Sequence, residues 1–172
     1  QFPRQILELQ KYFSKENSNA LVRAIPGEGL DIPMYILGSS TDSAWLAAEL
    51  GLPYAFAGHF APEQMDMAFK IYREHFEPSK YLDKPFVLAC VNGIAAETSE
   101  EAHFLSTTLF QAFINIIRND RKPFPAPVED MDAIWSAMEK SMVLQKLKFS
   151  FIGNQSEIAE QLKNFQEKYQ VD

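Results

Sequence analysis

The residues with chemistry in them follow apolar runs. Residues 32–54 read I-P-M-Y-I-L-G-S-S-T-D-S-A-W-L-A-A-E-L-G-L-P-Y, so an apolar stretch stops at Gly38 and hands over to Ser39, Ser40 and Ser43 beside a helical pattern. A strand that ends this way at a helix start offers free N–H groups, the positive end of a helix dipole and hydroxyl donors, a combination that suits a phosphate. The competing use of the same residues is plain capping of the helix by Ser40 or Asp42. A dianion also wants a cation; Arg23 is the nearby one in the sequence, with an ordinary surface position as its other reading. Pro26, Gly27 and Gly29 mark a tight loop that either covers a ligand or turns the chain.

His59 follows the Y-A-F-A-G run, and Asn92 lies toward the end of F-V-L-A-C-V-N. At the C-terminal side of a strand an imidazole and a carboxamide can hydrogen-bond a cofactor or a substrate. Each also has a structural use, as a histidine bonded to nearby backbone and as an asparagine serving a ladder or a turn. Gly153 and Asn154 repeat the order strand, glycine, polar residue, helix. His75 and His103 stand beside Glu74 and Glu101 in helical patterns and read as solvated; no metal-ligand spacing emerges. Nor does an acid–base dyad or an activated nucleophile. That suits a reaction run by a cofactor, with the protein binding and orienting, and it suits a binder without catalysis equally.

Something must hold these residues at strand ends. Short apolar runs at 33–38, 53–58, 86–94 and 148–152, with a weaker one at 21–24, read as strands. Amphipathic stretches at 4–13, 43–50, 62–76, 99–118, 131–147 and 156–169 read as helices, several with start signals such as Pro62 before Glu63 and Ser99 before Glu100. The alternation predicts parallel strands joined by right-handed crossovers. About four strand–helix units make half of an eight-unit barrel, which takes roughly 250 residues. The fold expected is therefore α/β, a partial (half) TIM-type (β/α)8 barrel, one incomplete domain over 1–172. The proline-rich stretch N-D-R-K-P-F-P-A-P-V-E-D opens an extra helical insertion over 119–148.

Composition narrows the partners. A chain of 172 residues, 47% hydrophobic, can bury a full core. A net charge of −7 without clustered Lys and Arg argues against nucleic acid. The lone Cys90, inside an apolar run, excludes an internal disulfide framework and reads as a buried inert thiol. No apolar run approaches a membrane span and the first residues lack a signal-peptide layout, so the expected location is the cytoplasm. The absence of an initial methionine points to a processed or cut chain.

The serine segment, V-R-A-I-P-G-E-G-L-D-I-P before it, L-P-Y-A-F-A-G-H-F-A-P after it, F-V-L-A-C-V-N-G-I-A-A-E-T-S-E-E-A and F-S-F-I-G-N-Q-S-E-I together resemble the second half of a bacterial luciferase-like flavin monooxygenase. The resemblance covers nearly the whole chain, from before that family's middle strands to just short of the last. It implies FMN as cofactor, reduced by a separate flavin reductase, and O2 oxidising a small organic substrate. It implies that Gly38, Ser39, Ser40 and Ser43 hold the FMN phosphate, while His59 and Asn92 line the mouth as the catalytic candidates, with no metal. Lacking half of the barrel, the segment is expected to be inactive alone; the alternatives are a non-catalytic flavin-binding protein and a scaffold fragment. Two unpaired sheet edges predict a homo-oligomer with Tyr35, Ile36, Phe56 and residues 86–91 near the shared core.

Overall fold

The computed structural model describes residues 2–172. Three strands, β1 (Ile36–Gly38), β2 (Tyr54–Phe56) and β3 (Val87–Ala89), form a parallel sheet in chain order, and β4 (Asn92–Ala95) pairs in parallel with β5 (Ser150–Gly153). The helices are α1 (Phe2–Phe13), α2 (Thr41–Glu49), α3 (Met65–Glu74), α4 (Ser99–Ile117), α5 (Ala137–Lys146) and α6 (Gln155–Tyr169). This is the parallel α/β arrangement expected, with four strand positions and no closed barrel.

Residues 86–94 are two strands, not the single one expected. Cys90 N–H still bonds the Phe56 carbonyl at 2.8 Å, but Asn92 N–H bonds that of Phe149 at 3.0 Å, so the segment changes partner within two residues, from β2 to β5. Below the switch, the N–H and C=O of Val87 face away from β2 and are held by Asp172, through its Oδ2 at 2.8 Å and its N–H at 2.9 Å. The chain end thus occupies the place where β5 would otherwise pair with β3.

Register decides which side chains face the helices. Ile36, Tyr54 and Val87 lie level with one another and are buried with Phe56 against Ala44, Ala47 and Ala48 of α2 and Phe69 and Tyr72 of α3. Phe149 and Phe151 stack edge-on with Phe165 of α6 at 5.4 and 5.5 Å. By the two-residue period of a strand, Leu37, Ala55 and Leu88 turn to the opposite, concave face. Ile36 and Phe56, expected near a core shared between copies, are 2% and 0% exposed inside the chain's own core instead.

Two other expectations change. Residues 21–24 form no strand: Glu28 N–H bonds the Ala24 carbonyl at 2.8 Å and Arg23 grips Glu28, so the segment closes on itself as a local turn. The helix expected over 131–147 begins only at Ala137, because Ser136 and Glu139 form a reciprocal capping box there. Residues 131–134 make turns that tuck Met131 against Ile114, Val143 and Leu147 in a small second core.

Arg118, at the end of α4, reaches the same Glu139 at 2.6 Å. The guanidinium first, and then the Ser136 N–H and hydroxyl, hold the Glu139 carboxyl down at about 2. A depressed carboxylate contributes stability that is fully present above its unfolded value of 4.5 and is lost as pH falls toward about 2. Urea denaturation across that window should show the wild-type chain losing stability relative to Glu139→Gln, the gap between them closing at the acid end. A constant gap would remove the carboxylate from the account.

Candidate functional site

The serine loop sits where β1 ends and α2 begins. Ser40 occupies the N-cap position in extended conformation, yet its side chain makes no capping bond. Thr41 N–H is taken by Gln64 Oε1 at 3.1 Å, reaching across from the turn before α3. No side chain among the described residues takes the N–H of Asp42 or Ser43, which lie in the first turn of α2. The Ser43 hydroxyl turns inward: it donates to the Ser40 carbonyl at 2.7 Å and meets the Tyr54 hydroxyl at 2.9 Å. Burial raises the Tyr54 phenol above its ordinary value, with the Ser43 hydrogen bond acting the other way. Ser43 is thus positioned to offer a ligand its main-chain N–H, its hydroxyl being spent on the loop. Gly38 has a packing reason of its own, since a Cβ there would fall on the Ser43 Cβ and Oγ.

His59 and Asn92 come together. The Asn92 carboxamide donates to the His59 carbonyl at 2.7 Å and to Ser150 Oγ at 3.1 Å, tying the loop after β2 to β4 and β5. The imidazole of His59 stands edge-on to Phe60, ring centroids 4.7 Å apart, and its Nδ1 is buried with no partner among the described residues. Asn92 and Ser150 pair level in the ladder and face the concave side.

The remaining candidates are occupied elsewhere. Arg23 forms a two-pronged pair with Glu28, both contacts 2.8 Å. The Pro26–Gly29 loop folds back on the end of α1, with Gly29 N–H on the Phe13 carbonyl at 2.8 Å, and so turns the chain at the end where strands start. Asn154 caps its own helix, accepting from Ser156 and Glu157 N–H at 3.0 and 3.1 Å while Glu157 accepts from Asn154 N–H, which fills the anion position that Gly153 and Asn154 suggested. Gln64, Tyr54 and Ser150 complete the loop and the mouth but carry no sequence signal. Their contacts span 23, 11 and 58 residues. No group of three or more His, Cys, Asp or Glu among the described residues is placed to hold a metal ion, and no described helix is long and apolar enough to cross a membrane.

Four parallel strand positions in chain order, with a helix start that has no side-chain cap at the C-terminal end of the first, define half of a parallel α/β barrel. The family model for luciferase-like monooxygenases matches residues 10–169, and the chain belongs to that family. It is 45% identical over 172 residues to the uncharacterized Bacillus subtilis protein YvbT and 41% identical over 171 residues to an Escherichia coli K12 protein named luciferase-like monooxygenase. Each match covers 99% of this chain and 51% of the relative, so the chain spans about half the length of these relatives. Among solved structures, apo-MsnO8 superposes with a TM-score of 0.78 at 20% identity, over 99% of this chain and 52% of that one. A coenzyme F420-dependent tetrahydromethanopterin reductase from Methanopyrus kandleri shares the fold with a TM-score of 0.57 at 15% identity, over 98% of this chain and 55% of its own.

Proposed function

We propose that this chain carries the cofactor-phosphate half of a flavin-dependent monooxygenase, with FMN reduced by a separate flavin reductase and a small organic molecule as substrate. The observation that carries the reading is the start of α2. Helices α4, α5 and α6 are each closed by a side chain at their N-cap; α2, like α3, is not, and at α2 the uncommitted Ser40 and the first-turn N–H groups of Asp42 and Ser43 lie directly after the glycine strand end. Such donors at the positive end of a helix, beside a glycine strand end, fit a phosphate. When bound, reduced FMN supplies the electrons for oxygen activation. The residues of this chain do the rest: Ser39, Ser40 and the α2 N–H groups hold the phosphate, Gln64 fixes the loop through Thr41, and Asn92 sets the backbone that carries His59 toward the mouth. Four strand ends give only part of such a mouth, so the chain alone binds flavin without turning it over.

Titration of the 172-residue chain with FMN, followed by flavin fluorescence, tests this. Ser39→Ala with Ser40→Ala should weaken FMN about tenfold to a hundredfold, from the loss of ~1.5–3 kcal/mol of bonding to a charged acceptor. Riboflavin, which lacks the phosphate, should bind both proteins equally. FMN affinity unchanged by the double variant would place the phosphate elsewhere. Coenzyme F420 titrated alongside separates the two cofactor types found on this fold.

A further inference from the structure

Two tyrosines lie side by side in the core, Tyr54 of β2 and Tyr72 of α3, ring centroids 5.3 Å apart and both fully buried. Their hydroxyls serve opposite ends of the sheet. That of Tyr72 donates to the Leu52 carbonyl at 2.9 Å and accepts from Phe86 N–H at 3.2 Å, just ahead of β2 and β3. That of Tyr54 is spent where β1 gives way to α2, 2.9 Å from Ser43 Oγ and 3.2 Å from the Ser40 carbonyl oxygen. Ser43 gives its own proton to that carbonyl at 2.7 Å, so its oxygen is left as an acceptor and the single phenolic proton is shared between Ser43 Oγ and the Ser40 carbonyl. Ser40 is the N-cap residue of α2, extended at φ −137° and ψ 163°, with no capping bond from its side chain. A side chain commonly fixes this position by accepting from a first-turn N–H. At α2 the cap is held from beneath instead, by its carbonyl. The ring that holds it is itself fixed, since Phe56 and Phe69 stand edge-on to Tyr54, each at 6.4 Å, and Tyr72 lies against it.

We propose that Tyr54 is a positioning residue for the flavin phosphate, its hydroxyl fixing the Ser40 carbonyl so that the Ser39 and Ser40 hydroxyls and the first-turn N–H groups of α2 keep the spacing the anion needs. The role rests on the flavin reading above. Arg23 is paired with Glu28, so what this segment offers the anion is hydrogen-bond donors, and these weaken steeply with misalignment. Donors already in place bind more tightly, because their ordering is completed in folding and not at the binding step. Freeing the Ser40 carbonyl returns that ordering to the binding step, and does so only for the phosphate end of the ligand. Tyr72, equally buried and adjacent, has no contact with the loop and supplies the internal comparison.

Tyr54→Phe removes one oxygen atom and keeps the ring, and Tyr72→Phe does the same to its neighbour. The 172-residue chain is titrated with FMN and with riboflavin, and the ratio of the two Kd values isolates the phosphate. In Tyr54→Phe, FMN should weaken about threefold to tenfold, the loss of one hydrogen bond to the loop, while riboflavin binds as it does to the wild type. Tyr72→Phe should lower the denaturation midpoint and leave the ratio unchanged. Tyr54→Phe combined with Ser43→Ala takes both hydroxyls from the one carbonyl and should weaken FMN by more than the product of the single effects. Hydrogen exchange of the amides at 40–43 in the ligand-free chain reads the same hold without flavin: it should be faster in Tyr54→Phe and not in Tyr72→Phe. The proposal is overturned by an unchanged ratio or unchanged exchange in Tyr54→Phe, by equal changes in the two tyrosine variants, or by a double variant that is merely multiplicative. A wild-type chain that takes FMN and riboflavin alike is a different failure, that of the phosphate reading itself, and leaves Tyr54 no phosphate to position.

Discussion

Replacing Gly38 with alanine should destabilise the chain by about 1–3 kcal/mol and loosen the serine loop, although only a methyl group is added at a strand end. The added carbon lands on the Cβ and Oγ of Ser43, and Ser43 has no easy retreat because its hydroxyl is held by the Ser40 carbonyl and the Tyr54 hydroxyl. Relief must come from the start of α2, so the N–H groups of Asp42 and Ser43 shift together. Chemical denaturation measures the loss, and Ser43→Gly in the same background tests its cause. Removing that side chain clears the space, so the double variant should be more stable than the sum of the two single effects predicts by about 1 kcal/mol or more. Additive effects would mean that Gly38 is required for another reason. The same displacement should weaken FMN in the titration above.

The chain wrote its elements plainly where local chemistry chose them. The alternation of apolar runs with amphipathic stretches located the strand positions of 33–38, 53–58 and 148–152 and the helices between them, because burial on one face imposes its period on the sequence. The start of α2 was legible for the same reason, since glycine and serine at a strand end are local choices. What was not legible depends on which strand lies next to which. Residues 86–94 read as one strand, and nothing in their composition says that pairing passes from Phe56 to Phe149 near Val91. The level of the strands also decided which side chains face inward: Ile36 and Phe56 meet α2 and α3, and Leu37 is left on the concave side. Arg23 shows the limit for charge. Its nearness to the serines in sequence suggested a phosphate partner, but Glu28, five residues away, is closer in space and accepts both of its prongs.

Asn92→Asp should cost about 2–4 kcal/mol at neutral pH although the two side chains are nearly the same shape. The asparagine acts here as a donor only: one carboxamide nitrogen serves both the His59 carbonyl and Ser150 Oγ. A carboxylate has no proton to give, so it would face the His59 carbonyl oxygen at hydrogen-bond distance with like partial charges opposed. The loop after β2 would lose its tie to β4 and β5, and with it the backbone that carries His59. The sign of the pH dependence follows. The environment favours the neutral, donating acid, so the introduced carboxyl titrates higher in the folded chain than the ~3.9 of an unfolded aspartate. A group raised in this way is tolerated below its unfolded value and becomes destabilising as pH rises through the folded one. Denaturation midpoints of Asn92→Asp, each set against the wild type at the same pH, should therefore converge in acid and separate toward neutrality. Asn92→Ala, which removes the donor without adding charge, should lie between them at neutral pH and show no such convergence. If Asn92→Asp tracks the wild type at all pH values, the carboxamide does not hold the mouth together and the His59 loop is set by packing alone.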